Sequence, residues 1–154
     1  MACVSDDWRN GRHVVYRLHA HIVLTPKYRR KVMTERVAAD LKSSFEEVCG
    51  RFDTTLEAFE VDQDHAHLLV AYPPKVALSR LVMSLKTISS MRVRAHHWPE
   101  IEQALWGDHF WSPSYAVVSA GGAPLDIVKR YIENQQSPNR KPGQLGKIRG
   151  RQRA

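Results

Sequence analysis

Residues 62–74 leave the chain little choice of local structure. A polar turn, Asp62-Gln63-Asp64, leads through His65-Ala66-His67 into the apolar run Leu68-Leu69-Val70-Ala71-Tyr72, which Pro73-Pro74 stops. That run reads as a buried strand. On a strand the side chains alternate with period two, so His65 and His67 point one way while Ala66, Leu68 and Val70 point the other. Two imidazoles standing side by side on a rigid sheet can grip one divalent metal ion and leave its remaining positions to another ligand and a substrate.

A second His-x-His pair, His19-Ala20-His21, lies in another strand-like stretch, and spacing alone does not separate the two. The flanks do. His65 and His67 follow directly on a polar turn, where side chains stay reachable, whereas His19 and His21 fall in mid-strand. The first pair is therefore the metal candidate, against the plainer reading of a half-buried polar face. In the second pair, His19 is assigned to structure or to contact with a partner.

A chain of 154 residues suits one domain with a real core. Cys3 and Cys49 make neither a disulfide framework nor a metal spacing and fit a reducing compartment. No run approaches membrane-spanning length, and residues 1–12 carry Asp6, Asp7, Arg9 and Arg12 in place of an apolar segment. The expectation is a cytoplasmic, nucleoid-associated protein with no membrane partner.

The net charge of +7 is unevenly spread. Between His65 and Pro99 there are Lys75, Arg80, Lys86, Arg92 and Arg94 and no acid, while the stretch 34–51 carries Glu35, Asp40, Glu46 and Glu47. Such polarity favours a phosphate-bearing partner, hence nucleic acid. After Ser137 come Arg140, Lys141, Lys147, Arg149, Arg151 and Arg153 without an acid, so residues 139–154 read as a basic, disordered tail. Lys27-Tyr28-Arg29-Arg30-Lys31 sets four cations around an aromatic ring, which can hold a phosphate backbone and stack on a base, or can simply be a solvated turn.

Along the chain, residues 13–25 alternate as a long first strand ending at Pro26, with Tyr16, Leu18, Ala20, Ile22 and Leu24 on one face. Thr34 can cap a helix with the stripe Val37, Leu41, Phe45 and Val48, ended by Gly50. Residues 54–61 lean to β and form a hairpin with the histidine strand. Leu78, Leu81, Leu85, Ile88 and Met91 mark a second helix whose stripe is core. Residues 114–120 read as a last strand, with Pro113 pointing to an edge position or a bulge. Trp106 and Trp111 read as core anchors. The order β-α-β-β-α-β is the split βαβ pattern of ferredoxin-like sheets, an α+β fold.

Gly121-Gly122-Ala123-Pro124 then makes a joint into a third helix at about 124–136, with Leu125, Val128 and Ile132 as its packing stripe. Tyr131 and Gln135 stand four apart on a neighbouring face. A phenol, an amide oxygen and two imidazoles are what a metal-assisted attack on a phosphodiester would use.

Together, Pro26-Lys27-Tyr28-Arg29-Arg30-Lys31-Val32, Asp64-His65-Ala66-His67-Leu68, Gly121-Gly122-Ala123-Pro124-Leu125 and Tyr131-Ile132-Glu133-Asn134-Gln135-Gln136 resemble the single-tyrosine HUH transposases of the smallest insertion sequences, the IS200-like family. The resemblance covers about residues 13–138, within an expected domain of 1–138. It implies that His65 and His67 bind Mg2+ or Mn2+ with Gln135 as third ligand, and that Tyr131 is the nucleophile. It further implies cleavage and rejoining of single-stranded DNA through a 5′-phosphotyrosine, recognition of hairpins at element ends, and a homodimer with active sites shared between chains. His19, beside the family-like His21, departs from the pattern.

Two other functions compete. A ferredoxin-like sheet can bind single-stranded nucleic acid without chemistry, as a domesticated regulator would. The set Tyr131, His65, His67 and Gln135 argues against it. A hydrolase using water is disfavoured because no carboxylate is clearly placed as its base.

Overall fold

The computed structural model describes residues 8–105 and 109–120. They belong to the first of two compact units, Met1–Gly121 and Gly122–Ala154. The expected joint, third helix and tail, with Tyr131 and Gln135, lie outside the described residues, as does Trp106.

The expected first strand divides in two. A small hairpin pairs β1 (Arg9–Asn10) with β2 (Val15–Tyr16), and β3 (His19–Pro26) then enters the main sheet. The reason for the break lies in the neighbouring strand. His19 pairs with Ala71, and two residues later Pro73-Pro74 ends the supply of backbone donors, so the chain before Leu18 must pair elsewhere. Arg9 ties the hairpin down, donating to the carbonyls of Ala71 (3.3 Å) and Asp53 (3.1 Å).

Beyond β3 a short 3-10 turn, Lys27–Arg29, leads to α1 (Glu35–Arg51). Thr34 caps this helix, its hydroxyl accepting from the Val37 amide at 3.4 Å, and Glu35 in the first turn suits the helix dipole. The predicted stripe Val37, Leu41, Phe45 and Val48 is fully buried. The chain continues through β4 (Thr55–Asp62), β5 (His65–Ala71), α2 (Leu78–Ala95), the one-turn α3 (Pro99–Glu102) and β6 (Trp111–Ser119).

The sheet runs β4-β5-β3-β6. Both β3 and β4 are antiparallel to β5, which lies between them, so β3-α1-β4 is a split βαβ unit and the fold is the α+β ferredoxin-like one expected. β6 starts at Trp111 rather than at 114. Its Pro113 is tolerated because β6 is an edge strand.

One face of the sheet makes the core. Ala20, Ile22 and Leu24 from β3 and Ala66, Leu68 and Val70 from β5 join the α1 stripe and Leu81, Val82, Leu85 and Val93 of α2. The α2 stripe is rotated from the one read off the sequence. Met91 is 62% exposed and Ile88 only half buried, while Ser89 and Val93 face inward. The rotation follows from a hydrogen bond that apolar periodicity does not register: Ser89 is fully buried, its hydroxyl donating to the Leu85 carbonyl (2.6 Å) and accepting from the Trp111 indole N–H (2.9 Å). Trp111 is thus a core anchor as expected. Among the described residues no helix is long and apolar enough to cross a membrane.

Replacing Ser89 by Ala should destabilise the domain by about 1–3 kcal/mol in urea unfolding, because it strands a buried indole donor. Ser44 is an internal control. It is equally buried, but its hydroxyl only donates to the Asp40 carbonyl within α1, so Ser44→Ala should cost less. Equal losses would show that the Trp111 contact contributes nothing.

Candidate metal centre

The β4–β5 hairpin builds the site by register alone. Asp62 pairs with His65 across a two-residue loop, Gln63-Asp64, and Glu60 pairs with His67. Directly paired residues share a face, so Asp62, His65 and His67 project together on the side of the sheet opposite α1 and α2.

Their donor atoms converge. One oxygen of Asp62 lies 2.8 Å from His65 Nε2 and 3.7 Å from His67 Nε2, and the ligand atoms of the three residues fall within 4.8 Å of one another. The imidazole rings stand 4.5 Å apart, nearly edge to face. The residues present fit a divalent cation. His65 Nε2 is buried, and although the Asp62 oxygen is close it does not satisfy that nitrogen with a hydrogen bond, as expected of groups aimed at a common point rather than at each other. Two imidazoles and a carboxylate suit a first-row divalent ion such as Mn2+, with positions left for phosphate oxygens. The side chains of His67 and His65 are 5% and 12% exposed and that of Asp62 is 58% exposed, so a substrate could reach the cluster from the loop side.

Asp64 braces His65 from behind. Its carboxylate lies 2.7 Å from His65 Nδ1 with one oxygen and 3.2 Å from the Arg29 guanidinium with the other. Burial pushes this carboxyl up, but the hydrogen bond from His65 and the charges of Arg29 and His65 outweigh it and hold it below its ordinary value. Arg29 arrives through a strained turn. Tyr28 and Arg29 both adopt left-handed backbone, φ 60° and 52°, at about 1–2 kcal/mol for each side-chain-bearing residue. The turn is anchored by the Lys27 amide donating to the Phe110 carbonyl at 2.9 Å.

The other histidine pair shares this face but is not brought into the cluster. His21 is buried with its ring 5.3 Å from that of His67, and His19 points to Glu57 (3.3 Å), a residue at the β-bulge of β4. The residue that sequence reasoning missed is Asp62. It was visible only as part of a polar turn, and a two-residue hairpin loop is the signal that would have placed it opposite His65.

The predicted DNA contacts divide into two groups. Tyr28, Arg29, Arg30 and Lys31 are exposed on the strained turn, with the Lys27 ammonium 5.3 Å from the Tyr28 ring centre. On α2, Arg80 is exposed beside Arg51 and Lys75 around a cleft at the start of the helix. Lys86 and Arg92 are engaged within the fold, Lys86 donating to the carbonyls of Ser112 (2.7 Å) and Ser114 (3.0 Å) and Arg92 pairing with Glu47. Arg94 lines a second cleft with Lys86 and His109.

The family model described as "Transposase IS200 like" matches residues 14–135. The chain belongs to the IS200-like transposase family. Among curated relatives, this transposase is 31% identical to the ISDra2 transposase TnpA of Deinococcus radiodurans over 129 residues, covering 84% of this chain and 91% of the relative. It is 26% identical to the transposase for insertion sequence element IS200 of Salmonella typhimurium over 139 residues, 90% of each chain. A crystal structure of a candidate transposase from Deinococcus radiodurans aligns with a TM-score of 0.69 at 33% identity, covering 82% of this chain and 97% of that one. A REP-associated tyrosine transposase bound to a REP hairpin aligns at 0.52 and 12% identity, covering 81% and 68%, which speaks to the fold alone.

Substituting His65 or His67 by Ala should weaken Mn2+ binding, followed by electron paramagnetic resonance of the free ion, by more than about a hundredfold, beyond the usual loss of an outer partner. Asp62→Ala should also weaken it. His19→Ala should leave it within about threefold. An equal loss at His19 would reverse the choice between the two pairs.

Proposed function

We propose that this transposase cuts and rejoins single-stranded DNA at the ends of an insertion sequence, with Tyr131 as nucleophile and a divalent ion, Mg2+ or Mn2+, as cofactor. The observation that carries the reading is the convergence of Asp62, His65 and His67 on one face of the sheet in a member of this family. Gln135 would add a neutral oxygen ligand from the third helix. The bound ion would draw charge from a non-bridging phosphate oxygen and leave phosphorus open to attack.

The chain's own residues do the rest. The Tyr131 oxygen attacks phosphorus, its proton leaves to solvent or a nearby base, and the bond to the 3′ oxygen breaks as that oxygen takes up a proton from solvent. A 5′-phosphotyrosine and a free 3′-OH result. Attack by a 3′-OH on the phosphotyrosine reverses the exchange. One phosphoester replaces another, so no nucleotide triphosphate is required.

Lys27, Arg30 and Lys31 on the exposed turn and Arg80, Lys86, Arg92 and Arg94 of α2 are the proposed backbone contacts, with Tyr28 beside them. Hairpin DNA at the element ends is the proposed ligand, the kind of ligand held by a relative of the same fold, a transposase bound to a REP hairpin. The active sites are proposed to be shared in a homodimer, each third helix serving the partner chain's histidines.

Labelled single-stranded DNA carrying an element end, incubated with Mg2+, should give a denaturant-resistant adduct. Tyr131→Phe should lower its yield by at least about a thousandfold while leaving hairpin affinity near that of the parent, since the lost hydroxyl reacts rather than binds. An adduct of normal yield would remove Tyr131 from its role.

Mixing a Tyr131→Phe chain with a His67→Ala chain, each inactive alone, should restore adduct formation, and only on the chain that keeps Tyr131. If mixtures stay inactive while the chains demonstrably exchange subunits, the tyrosine acts on its own sheet.

A further inference from the structure

Arg29, expected to bind phosphate, is exposed, and its guanidinium lies 3.2 Å from the Asp64 carboxylate. Asp64 in turn occupies the ring nitrogen of His65 that faces away from the candidate metal centre. With its Cβ in place, an imidazole ring can still turn about the Cβ–Cγ bond and take either of two neutral tautomers. A carboxylate on Nδ1 removes both, placing the proton there and leaving the Nε2 lone pair for an ion.

We propose that Asp64 is a positioning residue that orients His65 for metal binding, and that Arg29 acts through it by holding the Asp64 carboxylate in place. The left-handed backbone at Tyr28 and Arg29 is what lets the chain leave β3 and still deliver a guanidinium to the β4–β5 loop. Backbone held in such conformations clusters at functional sites, where the surroundings over-determine it. Here the over-determining contacts are the Arg29–Asp64 ion pair and the Lys27 amide on the Phe110 carbonyl. The exposed basic turn and the buried imidazole are thereby parts of one mechanical unit.

The proposal rests on the metal reading above, and Mn2+ affinity of the DNA-free protein tests the two separately. Asp64→Ala should lose about 10–100-fold in Mn2+ affinity, the usual effect of removing an outer partner. Asp64→Asn, whose amide oxygen can still accept the Nδ1 proton, should recover most of that loss, a rescue that a merely space-filling role would not produce. Arg29→Ala should weaken Mn2+ binding less than Asp64→Ala, and Arg29→Lys less again. In an Asp64→Ala background, Arg29→Ala should change nothing further, because a residue that acts through another is not additive with it.

Thermal melts of each metal-free variant keep loss of folding apart from loss of affinity. Wild-type protein that takes up no Mn2+ would remove the metal reading itself. Wild-type uptake with unchanged affinity in folded Asp64→Ala would overturn only the positioning role. If Arg29→Ala instead lowers affinity for single-stranded DNA in the presence of EDTA and leaves Mn2+ binding intact, Arg29 is a phosphate contact and its link to Asp64 is incidental.

Discussion

The pairing of β4 with β5 is the constraint on which the functional face depends. Side chains on a strand alternate with an exact period of two, so a slip of one residue would send His65 and His67 into the helix-covered core and bring Ala66 and Leu68 out. The core prevents that slip. Burial of Ala66, Leu68 and Val70 against α1 and α2 holds β5 in one phase, and the two-residue loop holds β4 in phase with it. The geometry of the candidate metal centre is therefore secured by apolar residues that face the other side of the sheet.

Much of this was legible in the sequence because period-two and period-3.6 patterns are local. The strand of His65, the Thr34 cap and the α1 stripe all follow from residues near one another in the chain. What was not legible depends on partners distant in sequence. The division of the first strand follows from where β5 runs out of donors, and the rotated face of α2 follows from one hydroxyl meeting an indole 22 residues on. Asp62 was hidden for a different reason: an acid in a turn looks solvated until its cross-strand neighbour is known.

Charge was the least reliable guide to position. The count of cations between His65 and Pro99 suits a member of a transposase family, but it did not sort the residues among tasks. Arg92 binds α2 to α1 through Glu47, and Lys86 clamps the irregular start of β6 through two carbonyls. Burial lowers the pKa of Lys86, consistent with an ammonium set into the fold. A basic face can thus be partly structural, its outer cations meeting a ligand while the inner ones fasten the elements that present them.

Asp62, His65 and His67 all come from one hairpin, within six residues of chain. A hairpin closes in roughly microseconds, whereas the sheet needs β3 to find both β5 and β6 from far along the sequence, a slower search. The candidate ligands can therefore come near one another before the domain is complete, although the finished core is what holds them in phase. An ion that meets the nascent chain would find much of its coordination already present in an unfinished protein, and binding to that state offsets the stabilisation the ion lends to the native one. For a candidate centre built so locally, metal uptake would be a poor reporter of whether the whole sheet has folded.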